Sequence, residues 1–380
     1  MEGIMSLIFD RISNKPQTHA LVIGVGGYRY LTGGAEPRDQ VFEAVGLLGQ
    51  LTSPPRSALG FAQWLESTQD QWRAPLGSIE LFVSPAPGDP LPAGINVDPA
   101  TIRKIQDGYN HWKQRCKANE DNIAVFFYSG HGVEKQEHYL LAEDFGENPN
   151  NPWLGSFAFD STRRAFHACK AKTQCFFVDA CRKVTSGMLQ HDLPKIPLDV
   201  ENMQESADCD FNLTLKAAAH NETAHGPKNK PSYFTQAILN AFKGAAASRR
   251  GSKWAIKTGE ISANINDILR MVKISEGYRQ RCISTTSGSG EIFRLTNVPH
   301  VPVSIACQPD QANALAALSC KNLESGACRR RGPKKGPWRL TVDAGIYRIM
   351  AKFADGEGFH DCNRLIPFDP PLIEEILECQ

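Results

Sequence analysis

Two short stretches constrain this chain more than any other feature. Ile123-Ala124-Val125-Phe126-Phe127-Tyr128 runs straight into Ser129-Gly130-His131-Gly132, and Gln174-Cys175-Phe176-Phe177-Val178 runs into Asp179-Ala180-Cys181-Arg182. Each apolar run has the length and the β-branched and aromatic content of a strand covered on both faces. Each stops abruptly in small and reactive residues. Buried parallel strands present their functional residues at their carboxyl ends. His131 and Cys181, separated by 181 − 131 = 50 positions, are therefore expected on neighbouring loops at one edge of a sheet.

That pairing has a chemistry of its own. A cysteine attacks as its thiolate, and a nearby imidazole raises the thiolate fraction and later protonates a leaving amine. Gly130 and Gly132 allow a substrate to come close to the backbone. The N–H groups of Gly132 and Cys181 are candidates for holding an oxyanion. The competing reading of any such thiol is a buried packing residue, and that reading is kept for the other ten cysteines.

Composition narrows the partners. The 380 residues suffice for two domains, and 41% of them are hydrophobic, enough for a sizeable core. Lys and Arg number 42 against 41 Asp and Glu, a balance that argues against a dedicated nucleic-acid or membrane-surface protein. No apolar run of membrane-spanning length and no secretory lead is visible. The eleven cysteines are dispersed without a CxxC pair, which reads as reduced thiols and a cytoplasmic location.

Along the chain, residues 1–17 read as a polar lead-in and Ala20 to Val25 as the first strand of the sheet. Gly24-Val25-Gly26-Gly27-Tyr28-Arg29 lacks the last glycine of a dinucleotide fingerprint. A helix is expected from about Pro37-Arg38-Asp39, with Val41, Val45, Leu47 and Leu48 on its apolar face. Ser57 to Thr68 reads as an amphipathic helix, Ile79 to Val83 as a strand, and Asp98 as the cap of a helix running towards Cys116. His138 to Ala142 reads as a strand or hairpin arm that ends at Glu143 and Asp144. Phe157 to Ala171 is expected to be a helix. His167, Cys169 and Cys175 lack a fourth ligand at metal spacing. Phe211 to Ala217 reads as a strand, Ser232 as the cap of a helix to Phe242, 245–259 as a loop, and Glu260 to Val272 as a helix. Trp254 in that loop is open to two readings, a substrate subsite or packing. The alternation of strands and helices predicts an α/β sheet covered on both faces. From 298 onward short alternating strands predict a small β-rich, sandwich-like domain, giving domains at 1–297 and 298–380. Arg329-Arg330-Arg331 with Lys334-Lys335 is read there as a solvated loop rather than a phosphate contact.

The two motifs closely resemble those of caspase-like cysteine peptidases. They are nearer to metacaspases and bacterial caspase-like peptidases than to animal caspases, which carry Gln where this chain has Asp179 and Gly where it has Lys183. The resemblance covers roughly residues 18–295. It implies the caspase-like sheet of mostly parallel strands, with Cys181 as nucleophile and His131 as general base and acid. It also implies a pocket for an Arg or Lys side chain formed by Asp39, Ser129 and Asp179. The bland reading of Asp39 is an acid favoured at a helix start. Asp179, at the end of an apolar strand, is costly without a partner. Arg38 stands where the family usually has Asn, and an inward Arg38 would favour acidic substrates instead.

The resemblance further implies that residues 183–210 form the linker between large and small parts. Residues 191–210 hold six acids against Lys195, and two readings stand equally: a mobile loop that shields or shapes the site and is cut on activation, or a surface insertion without a role. Glu143 and Asp144 are candidates for calcium activation, although the chemistry itself needs no cofactor and no metal. The function expected is a cysteine endopeptidase cleaving proteins after a basic residue. Its expected setting is that of a switchable bacterial stress or antiviral-defence effector, with protein substrates and an activating protease or regulatory protein as partners. The alternatives are acidic specificity, or a catalytically silent scaffold that binds a partner through the C-terminal region.

Overall fold

The computed structural model describes residues 6–45, 48–92, 95–183, 193–200, 209–251, 253–273 and 280–380, apart from the side chains of Phe42, Glu43, Ala44 and Lys273. In chain order, β1 spans Leu7–Asp10, β2 Thr18–Val25, α1 Asp39–Val45, α2 Ser53–Ser67, β3 Leu76–Ser84, α3 Ile102–Cys116 and β4 Ile123–Ser129. A small hairpin follows, with β5 at Gly132–Glu134, β6 at His138–Leu141 and β7 at Ser156–Ala158. Next come α4 (Phe159–Phe166), β8 (Thr173–Asp179), β9 (Phe211–Lys216) and α5 (Tyr233–Asn240). β10 (Ala247–Arg250), β11 (Lys253–Lys257), α6 (Thr258–Lys273), β12 (Ile283–Ser287) and β13 (Glu291–Arg294) complete the first part of the chain.

Seven strands form one sheet in the order β1-β3-β2-β4-β8-β9-β12. The five inner strands are parallel, and β1 and β12 pair antiparallel at the two edges. Side chains alternate between the faces of a strand, and the inner strands are apolar at both parities. Ala20, Val22, Val125, Phe127 and Phe177 pack with α2, α5 and α6 through Phe61, Leu65, Phe234, Ile238 and Ile265. Leu21, Ile23, Phe126, Tyr128 and Phe176 pack on the other face with Val41, Ile105, Trp112 and Phe166 of α1, α3 and α4. Each such fully buried aliphatic or phenyl side chain contributes roughly 1.5–3 kcal/mol. The sheet is therefore held rigidly from both sides, and its strand ends are fixed in space.

Five local expectations change. Arg329, Arg330 and Arg331, read as part of a loop, lie in a strand paired with residues 318–321. The lead-in contains β1, because Phe9 is buried against the sheet and the Leu81 amide donates to the Ser6 carbonyl at 2.7 Å. The cap of α3 is Thr101, whose hydroxyl accepts from the Lys104 amide, while Asp98 pairs instead with the Lys104 ammonium at 3.2 Å. The segment 245–259 holds the β10–β11 hairpin, which turns at Gly251 with φ +59°. The helix before β8 is only Phe159–Phe166, because its start is taken by β7 pairing with β6. Leu47 lies outside the described residues.

The remaining strands are β14 (His300–Gln308), β15 (Ala317–Asn322), β16 (Cys328–Arg331), β17 (Trp338–Asp343), β18 (Gly345–Lys352), β19 (Cys362–Phe368) and β20 (Ile373–Glu378). They form a three-stranded sheet, β17-β14-β20, and a four-stranded sheet, β16-β15-β18-β19. Burial alternates residue by residue along β14 and β18, as it does in a sheet with one wet face. The inward residues Val301, Val303, Leu318, Ile349 and Phe368 join the same apolar cluster as the α2 and α5 face.

Candidate active site

Strands β4 and β8 are adjacent and parallel, and their last residues, Ser129 and Asp179, are register partners. The Gly130 amide donates to the Asp179 carbonyl at 3.2 Å, so both loops leave the sheet at one level. His131 and Cys181 both line a cavity of about 730 Å³ together with Ser129, Gly130, Gly132 and Asp179. Val45, Leu48, residues 50–54 and residues 223–228 form further parts of its wall.

His131 is held at three points. Its amide donates to the Tyr28 hydroxyl at 2.7 Å, and its carbonyl accepts from the Tyr128 hydroxyl at 2.9 Å. Its ring Nε2 lies 2.7 Å from the Gly49 carbonyl oxygen. A carbonyl can only accept, so Nε2 carries the proton and Nδ1 keeps the lone pair. Burial holds the imidazole down to about 4, with the Gly49 carbonyl opposing, so the ring is neutral at physiological pH. Gly130 makes this packing feasible: a Cβ there would sit 2.6 Å from the Tyr128 hydroxyl and 2.8 Å from that of Tyr28.

The Cys181 sulfur accepts the Ala224 amide at 3.3 Å. Burial pushes the thiol upward, while the Ala224 backbone and Lys183 pull it back. The cavity is thus lined by a thiol whose ionisation burial disfavours and by a neutral imidazole. The Cys181 carbonyl accepts from His138 Nε2 at 3.0 Å. A Cβ at Gly132 would lie 2.7 Å from that same nitrogen and 2.8 Å from the Cys181 carbonyl oxygen, so only glycine passes there. His138 is fully buried, and burial followed by the Lys216 charge pushes its ring well below the usual histidine range.

Charged pairs lock the layer behind the sulfur. Arg182 binds the Glu134 carboxylate at 2.6 and 2.7 Å, and Lys216 binds Asp160 at 2.6 Å. The Arg182 amide donates to the Glu222 carbonyl and its own carbonyl accepts from the Asn221 amide, which ties the 219–224 loop beside Cys181.

Asp179 is buried at the cavity wall. Its Oδ2 accepts three hydroxyls: Ser129 at 2.9 Å, Ser232 at 2.5 Å and Thr235 at 3.0 Å. Burial raises this carboxyl and the three hydroxyls lower it. All three bonds fall on Oδ2, and Oδ1 receives none of them. Ser232 also caps α5 by accepting the Thr235 amide at 3.0 Å, so one hydroxyl serves both the helix and the carboxylate.

The expected trio is only partly assembled. Ser129 and Asp179 meet, but Asp39 is exposed in the first turn of α1 and is absent from the cavity lining. Arg38 is also turned away: its guanidinium lies 4.0 Å from the Tyr30 ring centroid and donates to the Gly146 and Glu147 carbonyls. In place of Asp39, the cavity is lined by Val45 at the end of α1, Leu48 and residues 50–54. Trp254 is buried and lies outside this cavity. Glu143 accepts from the Ser84 hydroxyl, and Asp144 accepts from the Ile102 amide at the start of α3, so both expected calcium ligands are engaged by the protein itself. No group of three metal-ligating side chains occurs among the described residues.

Of the expected linker, residues 184–192 and 201–208 lie outside the described residues. The part between them is anchored: the Ile196 carbonyl accepts from Ala158, Leu198 is buried, and Asp199 pairs with Lys113. All eleven cysteines are free of disulfides, and no described helix is long and apolar enough to cross a membrane. Sequence reasoning missed Gly49, His138 and the meeting of Ser232 and Thr235 with Asp179; Ala224 falls in the stretch 218–224, which resembles the substrate loop of bacterial caspase-like peptidases. Only Ser232 carried a local signal, as a helix cap.

The caspase domain family model matches residues 18–286. The chain is 27% identical over 297 residues to the uncharacterized protein y4kE of Sinorhizobium fredii, covering 75% of this chain and 85% of that one. It is 23% identical over 236 residues to a probable protease of a Desulfuromonadales bacterium, covering 60% of this chain and 27% of that longer protein. Among solved structures, Caspase-1 from Spodoptera frugiperda aligns with 74% of this chain and 94% of its own at 9% identity and a TM-score of 0.39.

Proposed function

This chain belongs to the caspase-domain family of peptidases, and from that premise we propose that it is a cysteine endopeptidase cutting polypeptides after Arg or Lys. The observation that carries the reading is the shared cavity, which Cys181, His131 and the buried Asp179 all line.

In this mechanism the neutral His131 takes the Cys181 proton at Nδ1, since Nε2 is committed to the Gly49 carbonyl. The sulfur forms a bond to the scissile carbonyl carbon as its π electrons move onto oxygen. The N–H groups of Gly132 and Cys181 are the proposed holders of that oxyanion. The imidazolium then protonates the departing amine, the C–N bond breaks, and a thioester remains. Water, deprotonated by His131, hydrolyses the thioester and restores the thiol. The side chain before the cut enters beside Ser129 and Asp179, where a guanidinium or ammonium meets a carboxylate whose Oδ1 is not occupied by the hydroxyls.

Fluorogenic peptides ending in Arg, Lys or Asp before the reporter test this. Arg and Lys peptides are expected to be cut and the Asp peptide spared. Preferential cleavage of the Asp peptide overturns the specificity, and equal turnover by Cys181→Ala overturns the nucleophile.

A further inference from the structure

The two C-terminal sheets carry opposite charge. Strands β15, β16, β18 and β19 together hold seven Lys and Arg residues and no Asp or Glu. Strands β14, β17 and β20 hold Arg339 against Asp343, Glu374, Glu375 and Glu378. In a protein of net charge +1 this is a strong local separation.

Register and burial place part of the positive set on one face. Leu318, Cys320, Tyr347, Ile349 and Ala351 are buried, so the alternate residues of β15 and β18 point outward. Lys321 stands directly opposite Arg348, whose other neighbour is Leu365 on β19. Arg330 stands beside Ser319, and Lys352 beside Ala317. None of these four cations forms a salt bridge among the described residues. Ile346 and Leu365 lie between and beside them, 44% and 59% exposed. Like charges directly across a ladder destabilise a sheet. The fold gains nothing from the Lys321–Arg348 pair, whereas an anionic partner does.

We propose that this outer face is a docking surface for an acidic polypeptide segment with aliphatic residues between its carboxylates. Such a segment meets both kinds of side chain on the face. A nucleic-acid strand would leave Ile346 and Leu365 uncovered, and the face offers no aromatic ring for base stacking, because Tyr347 and Phe368 stack on each other inside at 4.4 Å. A bilayer is met by an apolar surface that sinks into it. Here the aliphatics are interleaved with the cations, Leu365 standing opposite Arg348.

The test uses the full chain and a fluorescent twelve-residue peptide of alternating Glu and Leu. An anionic phosphatidylglycerol vesicle and a single-stranded oligonucleotide serve as the other arms. Binding is read by fluorescence anisotropy and co-sedimentation and needs no turnover, so failure of the peptidase reading would leave it intact. The expected result is peptide binding that weakens about tenfold in the variant Lys321→Glu/Arg348→Glu and falls with salt, with unchanged hydrolysis of a short fluorogenic peptide. If that variant does not fold, as judged by circular dichroism, the single neutralisations Arg330→Ser and Lys352→Ser are expected to weaken binding in the same direction. Binding of vesicle or oligonucleotide without peptide, absence of peptide binding, or peptide binding indifferent to these substitutions overturns the proposal.

Discussion

At the carboxyl edge of the central sheet, charge is buried or half-buried and answered. Asp179 sits among three hydroxyls, Glu134 against Arg182, and Asp160 against Lys216. On the outer face of β16-β15-β18-β19, charge is exposed and unanswered, and Lys321 looks directly at Arg348. The first arrangement has no slack: removing one partner strands another in a dry site, at several kcal/mol. The second has slack to spare, since exposed charges cost little to change. The contrast separates groups that hold the fold and its cavity from groups whose reason lies outside the chain.

The sharpest way to break this contrast is at the reacting atoms. Cys181→Ala and His131→Ala are each expected to lower kcat for an Arg peptide by about 10⁴-fold or more. Cys181→Ala should leave the thermal transition nearly in place. Residual turnover within tenfold of the parent protein would mean that the cavity is not the site of reaction.

The buried histidines sharpen the same comparison through pH. His19 and His131 are each held down to about 4 chiefly by burial, against an unfolded value near 6.5. Between those values the unfolded chain binds more protons than the folded one, so stability rises with pH and is lost on acidification from 6.5 towards 4. The loss is about 3 kcal/mol for each ring. His138 works in the same direction, and the raised carboxyl of Asp179 works in the opposite one. Urea unfolding at pH 7, 5.5 and 4.5 reads the balance. A flat or rising stability on acidification would mean that these rings are solvated and that the layer behind the cavity is looser than its hydrogen bonds imply.

What the sequence disclosed, and what it hid, follows the same division. Strands β4 and β8 and the loops that follow them were readable because both-face burial demands unbroken apolar runs, and the runs end where the loops begin. Three of the seven C-terminal strands, at 301–305, 338–342 and 347–351, were readable from their alternation. The partners of the reactive groups were not: Gly49 reaches His131 across 82 positions, and Ser232 reaches Asp179 across 53. No local pattern encodes such a meeting, since any residue's carbonyl and many hydroxyls qualify. The family resemblance implies Asp39 as a pocket acid, with a helix-start acid as the competing reading; it stands exposed in the first turn of α1, and the path from α1 to α2 brings Leu48 and residues 50–54 to the cavity instead. The β10–β11 hairpin was hidden by the exposed Arg249, Arg250 and Lys253, which mask the inward Ala247, Trp254 and Ile256. The Lys321–Arg348 opposition was hidden because register is not written in either strand alone.

A smaller effect tests the role of the Asp179 charge separately from its packing. Asn accepts the same hydroxyls, so Asp179→Asn should keep the fold. A charge-assisted bond to the substrate contributes roughly 1.5–3 kcal/mol. kcat/KM for Arg peptides is therefore expected to fall about ten- to a hundredfold, mostly through KM, while a neutral peptide of otherwise equal sequence changes little. Equal losses for both peptides would assign Asp179 to holding the strand end and α5 together, and would remove the basis for basic specificity.

The smallest expected effect has the opposite sign. Lys321→Thr removes one member of a facing like-charged pair and supplies a β-branched side chain suited to a strand. The protein should gain a few tenths of a kcal/mol, a rise of about 1 °C in the melting temperature at low salt. That gain should shrink at 0.5 M salt, where screening already weakens the repulsion. Scanning calorimetry at the two salt concentrations decides the matter. If the substitution lowers the melting temperature, the lysine is part of what holds the sheet together. The surplus of positive charge would then have a structural origin, and the face would lose the argument that something anionic is meant to cover it.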